Sequence, residues 1–125
     1  MPNHASFSLK ARLQSFVHAF AGIFQLIREE HNARIHLAAT VVVVIAGLAL
    51  HIGRVDWLAI VIAVGLVWSA EAFNSAIEKL TDQVSPEWNA RAKFIKDVAA
   101  AAVLIAAMMA IVIACLVFIP RLIRL

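Results

Sequence analysis

The sequence predicts an all-α integral membrane protein, with three spanning helices preceded by an amphipathic surface helix. Three observations carry that prediction. First, 63% of the 125 residues are hydrophobic, 15% are charged, and the mean hydropathy is +0.89. A soluble domain is roughly 45–50% apolar and about 25% charged, and a chain this short leaves much of its surface exposed when it folds. Lipid must therefore replace water around many of these side chains. Second, the apolar residues gather into three runs separated by short polar links. Third, apolar residues ahead of the first run recur with a helical period. The same composition excludes a disordered chain, and a single cysteine, Cys115, excludes an internal disulfide. No nucleic-acid partner is expected.

The whole chain, 1–125, reads as one membrane domain. Residues 7–27 form the surface helix: Leu13, Phe16, Val17, Phe20, Ile23, Phe24 and Ile27 recur every three or four positions, while Gln14, His18 and Gln25 fall elsewhere on the wheel. No compact apolar core with a small-residue cleavage site precedes the first run, so this segment is not read as a cleaved signal peptide. Two apolar runs follow, Leu37 to Leu50 and Trp57 to Ala70, of 14 residues each. A bilayer requires roughly 20 residues, so both helices must extend into polar sequence, giving span one over 30–52 and span two over 56–82. The link between them contains Gly53 and reads as a tight turn closing a hairpin. Pro86 breaks the chain into a loop over 83–92. Span three covers 93–119; its 22 uncharged residues from Val98 to Ile119 are long enough to cross by themselves and are closed by Pro120, Arg121 and Arg124.

Positive charge sets the orientation. Lys10, Arg12, Arg28 and Arg34, with Lys79, Arg91, Lys93 and Lys96, place eight cations on one side, against three (Arg54, Arg121, Arg124) on the other. The richer side, which holds the N-terminus, is expected to be cytoplasmic, in a multi-pass membrane protein. Seven of the eight acids lie on that side too, Asp56 being the exception. Any chemistry therefore faces the cytoplasm.

The most informative stretch is Glu71-Ala72-Phe73-Asn74-Ser75-Ala76-Ile77-Glu78-Lys79-Leu80-Thr81-Asp82. At about 100° per residue, Glu71, Asn74, Glu78 and Asp82 share an arc of roughly 80° with Ser75 beside it. Like charges so spaced repel, and ionisable groups near lipid are costly, so such a stripe has counter-ions, a cavity or a function. The plainest reading is a solvated helix end or ion pairs to Lys93 and Lys96. The functional one starts from Mg²⁺, which is held by one or two carboxylates together with substrate phosphates. Glu30 and Glu78 can supply that pair, and Glu71, nearer the lipid, can act as a base toward a membrane hydroxyl. Lys96 offers a cation for phosphate oxygens and Asp97 a carboxylate to orient it, which is most of what phosphoryl transfer asks of a protein. The four glycines form neither a P-loop nor a GxGxxG, and a Cys-rich zinc site is impossible. His31 and His36 read as interfacial histidines rather than metal ligands.

The run Glu71-Ala-Phe-Asn74-Ser-Ala-Ile-Glu78-x-x-x-Asp82, followed past a proline loop by Lys96-Asp97-x-Ala-Ala-Ala-Ala-Val103, resembles the signature of the bacterial integral-membrane diacylglycerol kinase and undecaprenol kinase family. The likeness extends from Gly22 through Glu29-Glu30-His31-Asn32-x-Arg34 to span three, and Glu-Glu-x-Asn is closer to the undecaprenol kinase branch. It implies a homotrimer with sites shared between subunits, using Mg-ATP to phosphorylate a lipid alcohol at the cytoplasmic interface. It also implies Glu71 as general base, Glu30 and Glu78 as metal–nucleotide carboxylates, Lys96 and Asp97 as the phosphate pair, and Asn74 and Asp82 as supporting polar groups. Glu87 corresponds to a loop acid near the nucleotide. His18 and Trp88 stand where relatives often carry tyrosine, and Lys10 or Arg12 corresponds to a basic nucleotide contact. The competing readings are an oligomeric transporter or channel with an acidic vestibule, and an assembly subunit whose stripe only pairs helices.

Overall fold

The computed structural model describes residues 6–125, in four helices: α1 (Leu9–Glu29), α2 (His31–Ala49), α3 (Arg54–Val84) and α4 (Ala90–Ile123). The last three are each long and apolar enough to cross a membrane. At 1.5 Å per residue, α2 is about 28 Å long, close to the hydrocarbon thickness of roughly 30 Å, whereas α3 and α4 reach about 46 and 51 Å. The long pair therefore projects beyond the lipid, and its projecting end carries the acids and lysines.

A single residue separates α1 from α2. Glu30 is extended (φ −100°, ψ 120°), and its N–H donates to the Leu26 carbonyl at 2.9 Å. The final carbonyls of a helix lack partners, and here Arg34, one turn into α2, reaches back to supply them: Nε donates to the Ile27 carbonyl at 3.0 Å and the guanidinium also donates to Arg28. Hydrogen bonds from a charged donor contribute about 1.5–3 kcal/mol, so this arginine fixes the corner. Lys79 of α3 pairs with Glu29 from the other side. That pair holds the Glu29 carboxyl below its ordinary value of 4.5, first through the Lys79 hydrogen bond and then through its charge.

The opposite end of the molecule is tied by Arg121. Its guanidinium donates to the His51 carbonyl at 2.9 Å and the Leu50 carbonyl at 3.5 Å, and meets Asp56 Oδ2 at 3.3 Å. Asp56 in turn accepts the Gly53 N–H at 3.3 Å, capping α3. The left-handed residue of the turn is His51 (φ 50°), while Gly53 has an ordinary φ of −75° and serves as the α3 N-cap. A left-handed non-glycine residue costs about 1–2 kcal/mol, and the Arg121 bond to its own carbonyl offsets that cost. One sequence-based expectation changes here: Pro120 does not end the last helix, which continues to Ile123. Proline removes one donor, but the Arg121 contacts hold the final turn against the α2–α3 link.

The link between α3 and α4 is short, because Asn89 caps α4 by accepting the Ala92 N–H at 2.8 Å and so starts the helix ahead of residue 93. The main packing is α3 against α4, with α2 leaning on α3. Trp68 Nε1 donates to Thr40 Oγ1 at 3.1 Å across that second contact, worth about 0.6 kcal/mol by analogy with interhelical bonds in membranes. Ile52, Ile60 and Val117 form a small core beside the turn, with Trp57 packed on it. Gly47 is buried there for want of space, since an added Cβ would fall 2.7 Å from the Trp57 ring. The accessible surface is 9752 Å², against about 6,600 Å² for a compact soluble monomer of this mass. Most large apolar side chains face outward, as a chain solvated by lipid requires.

Two outcomes follow for the detergent-solubilised protein. Gly47→Ala is expected to lower the thermal midpoint, at a cost of about 1–3 kcal/mol for overpacking, while Gly22→Ala, with nothing within 4 Å of an added Cβ, leaves it unchanged or raises it. The Glu29–Lys79 contribution is full above the ordinary carboxyl value of 4.5 and is lost as pH falls through the depressed folded value. An acid titration of α1–α3 proximity, read by paired spin labels, is expected to show that loss in the wild type and to lose it in Glu29→Gln.

Candidate active site

The polar stripe of α3 divides into a buried end and a wet end. At the buried end Glu71 is 1% exposed, the most deeply buried of the large side chains, and Asn74 and Ser75 are buried beside it. A groove of about 270 Å³ opens onto Glu71 and Asn74 between α2 and α4, walled by Asn32, Ile35 and His36 on one side and Ala100, Val103, Leu104 and Ala107 on the other. Two acceptors at this end, Glu71 Oε2 and Asn74 Oδ1, are fully buried without a hydrogen-bond partner in the chain. Leaving such a group unpaired costs about 1–3 kcal/mol, more for a charged one, so a fold that retains two of them side by side has a use for them.

His36 Nε2 stands 3.5 Å from Glu71 Oε2. The sequence reading left this histidine aside as an interfacial residue. Asn32 and His36 lie four residues apart on one face of α2, and the packing of α2 brings that face to the level of Glu71.

At the wet end a second groove, of about 320 Å³, is bordered by Asp82, Glu87, Trp88, Lys93, Lys96 and Asp97 around the α3–α4 link. Lys96 is ion-paired with Asp82, and Glu78 is close enough to act on the same charge. Asp97 is held by Lys93 at 2.5 Å instead of by its neighbour. Consecutive residues on a helix point about 100° apart, so Asp97 cannot share the direction of Lys96, whereas Lys93, four residues earlier, lies on its face. These pairs are exposed and individually worth little, about 0–1 kcal/mol. They hold lysines near the groove without locking them.

Glu30 sits apart from both grooves, at the α1–α2 corner. It accepts the Ser75 hydroxyl at 3.0 Å and lies 3.9 Å from Lys79. Among the described residues no three acids or histidines come together as a ready cage for a metal ion. His18, Lys10 and Arg12 are exposed on α1, and none borders the groove of Glu71 or that of Lys96 within the chain. Trp88 is 80% exposed at the rim of the second groove. The stripe thus joins a buried acidic pocket between α2 and α4 to a lysine-bearing groove at the α3–α4 link, with about 16.5 Å of helix rise between Glu71 and Asp82.

Known proteins are similar to this chain over most of its length. The chain is 37% identical over 109 residues to an undecaprenol kinase of Bacillus subtilis, covering 87% of this chain and 89% of that protein. It is 33% identical over 114 residues to a diacylglycerol kinase of Synechocystis, covering 90% of this chain and 65% of that one. The family described as prokaryotic diacylglycerol kinase matches residues 17–118, which include both grooves and the corner at Glu30. The chain therefore belongs to the prokaryotic diacylglycerol kinase family, a family of membrane lipid kinases.

Proposed function

We propose that the chain transfers the γ-phosphoryl group of Mg-ATP to the hydroxyl of a membrane lipid alcohol, at the cytoplasmic face of a bacterial inner membrane. The observation that carries this reading is the buried, unpartnered Glu71 carboxyl opening into a groove between membrane helices, on the same α3 stripe as the lysine-bearing groove. Of the two acceptors named for its relatives, undecaprenol is the first to test, since the undecaprenol kinase is matched over 89% of its length.

In this reading the acceptor enters from the bilayer with its chain along the apolar continuation of the Glu71 groove, past Thr40, Val43, Val64 and Val67. Its hydroxyl donates to Glu71, which takes the proton as the oxygen attacks phosphorus. Asn74, beside it in the same groove, donates its side-chain amide to the hydroxyl oxygen. Lys96 and Lys93 exchange their pairing with Asp82 and Asp97 for phosphate oxygens, a cheap exchange because those pairs are exposed. Glu87 and Trp88 border the space left for the nucleotide, and His18, Lys10 or Arg12 on α1 completes it. Glu30 and Glu78 are the carboxylates that would hold Mg²⁺. Two half-buried acids, each beside a lysine, fit an ion that takes one or two carboxylates and leaves its other positions to phosphate and water. When bound, the ion neutralises charge on the triphosphate.

Residues on different elements would then meet most readily in an assembly, and we propose the homotrimer with shared sites. The outward-facing apolar surface of α2, α3 and α4 supplies area for both lipid and neighbouring subunits. Phe16, Phe20 and Phe24, all exposed on α1, support that helix lying in the headgroup layer. A channel is not favoured, because the groove beyond His36 continues through apolar residues and threonine.

Glu71→Gln is expected to abolish lipid phosphorylation, by at least about a hundredfold, while fluorescent ATP still binds. Glu78→Ala is expected to raise KM for Mg-ATP, and an unchanged KM would assign this carboxylate to helix stability alone. Purified protein with labelled ATP, Mg²⁺ and separate lipid alcohols is expected to label undecaprenol most rapidly, and ATP consumption without a lipid product would contradict the reading.

A further inference from the structure

Glu71 presents a problem that its role as base, proposed above, creates and leaves unsolved. Each turnover would put a proton on a carboxyl that is 2% exposed and walled by alkyl groups. The second turnover cannot begin until that proton leaves. On α4 the wall consists of Ala100, Val103, Leu104 and Ala107, which carry no proton, and on α3 the neighbour is Asn74, an amide. Nearby charged groups are engaged elsewhere: Arg34 with the carbonyls of Ile27 and Arg28, Lys79 with Glu29, and Lys96 with Asp82. Of the residues bordering the groove, His36 is the other titratable one, on α2 with Asn32 and Ile35. It stands at one end against Glu71 Oε2, at 3.5 Å, and its side chain is 18% exposed.

We propose that His36 is the proton exit for Glu71, a positioning and relay residue that does not touch the phosphoryl group. As the acceptor oxygen bonds to the γ-phosphorus and the bond from that phosphorus to the bridging oxygen of ADP breaks, the hydroxyl proton moves to Glu71. The neutral imidazole then takes that proton on Nε2 and gives up its Nδ1 proton to water, so the carboxylate is restored and one proton is released per lipid phosphorylated. The Nε2–H left behind donates to Glu71 Oε2 and holds the carboxylate in place, and exchange with water resets the ring. Imidazole suits this task because its ordinary pKa lies near neutrality, whereas an amide would orient the carboxylate equally well and carry nothing away.

The test uses the full chain in detergent micelles with undecaprenol and diacylglycerol. His36→Ala and His36→Gln are both expected to lower kcat at least about tenfold, with KM for Mg-ATP unchanged, and to shift the acidic limb of the kcat–pH profile. Added imidazole is expected to restore kcat of His36→Ala in proportion to its concentration. Fluorescent-ATP binding identifies any variant that has lost its fold, and His36→Gln, close in size, keeps the comparison if alanine is not tolerated. A His36→Gln enzyme with wild-type kcat and pH profile overturns the relay. If Glu71→Gln also remains active, the base assignment itself has failed; if Glu71→Gln is inactive, the relay alone is wrong.

Discussion

A carboxyl group kept out of water at the edge of a hydrocarbon solvent is the constraint on which this structure turns. Burying a polar acceptor without a hydrogen-bond partner costs about 1–3 kcal/mol, and lipid returns nothing for it. The chain accepts that cost at Glu71 and arranges its helices around it. α3 runs on for three turns past the buried acid, far enough for the same stripe to emerge into water. α4 faces it with Ala100, Val103, Leu104 and Ala107 across a groove, and the short α2 begins at a sharp corner that brings Asn32 and His36 to its level. Corner and opposite turn are each secured by one arginine directed at backbone carbonyls, Arg34 at one end and Arg121 at the other. Each satisfies groups that neither lipid nor helix geometry can satisfy.

In the proposed reading, this arrangement would separate two tasks of phosphoryl transfer by depth. An alcohol dissolved in the bilayer would meet Glu71 where water is scarce, which would keep the phosphoryl group from being lost to hydrolysis. A nucleotide would meet lysines in the exposed groove, where ion pairs are cheap to exchange. One helix stripe joins the two grooves.

Much of this was legible in the sequence, for identifiable reasons. Lipid exposure leaves its mark in composition, and the number of spans follows from run length. The stripe of Glu71, Asn74, Glu78 and Asp82 follows from helical period alone. What the sequence hid depended on contacts between distant elements. His51 takes the left-handed position of the turn, and the helix passes Pro120, because Arg121, some 70 residues along the chain from that turn, anchors both. The pairing of the stripe with Lys96, open to the sequence reading, is made by Asp82; which acid of the stripe makes it depends on how α3 and α4 pack. His36 matters only once α2 is seen folded against Glu71. Glu30 stays at the corner with Ser75 and Lys79, so its meeting with a metal–nucleotide rests on chemistry and on assembly, not on contacts within one chain.

The central claim is that the acceptor's hydroxyl bonds to the Glu71 carboxyl. Carbon-13 NMR of protein labelled at glutamate carboxyls, with the Glu71 resonance assigned by its loss in Glu71→Gln, reads that contact directly when undecaprenol or its methyl ether is titrated in without ATP. The Glu71 resonance is expected to move with the alcohol and to stay in place with the ether, which has the same chain and no proton to give. Equal shifts with both ligands, or no shift with either, would contradict the account.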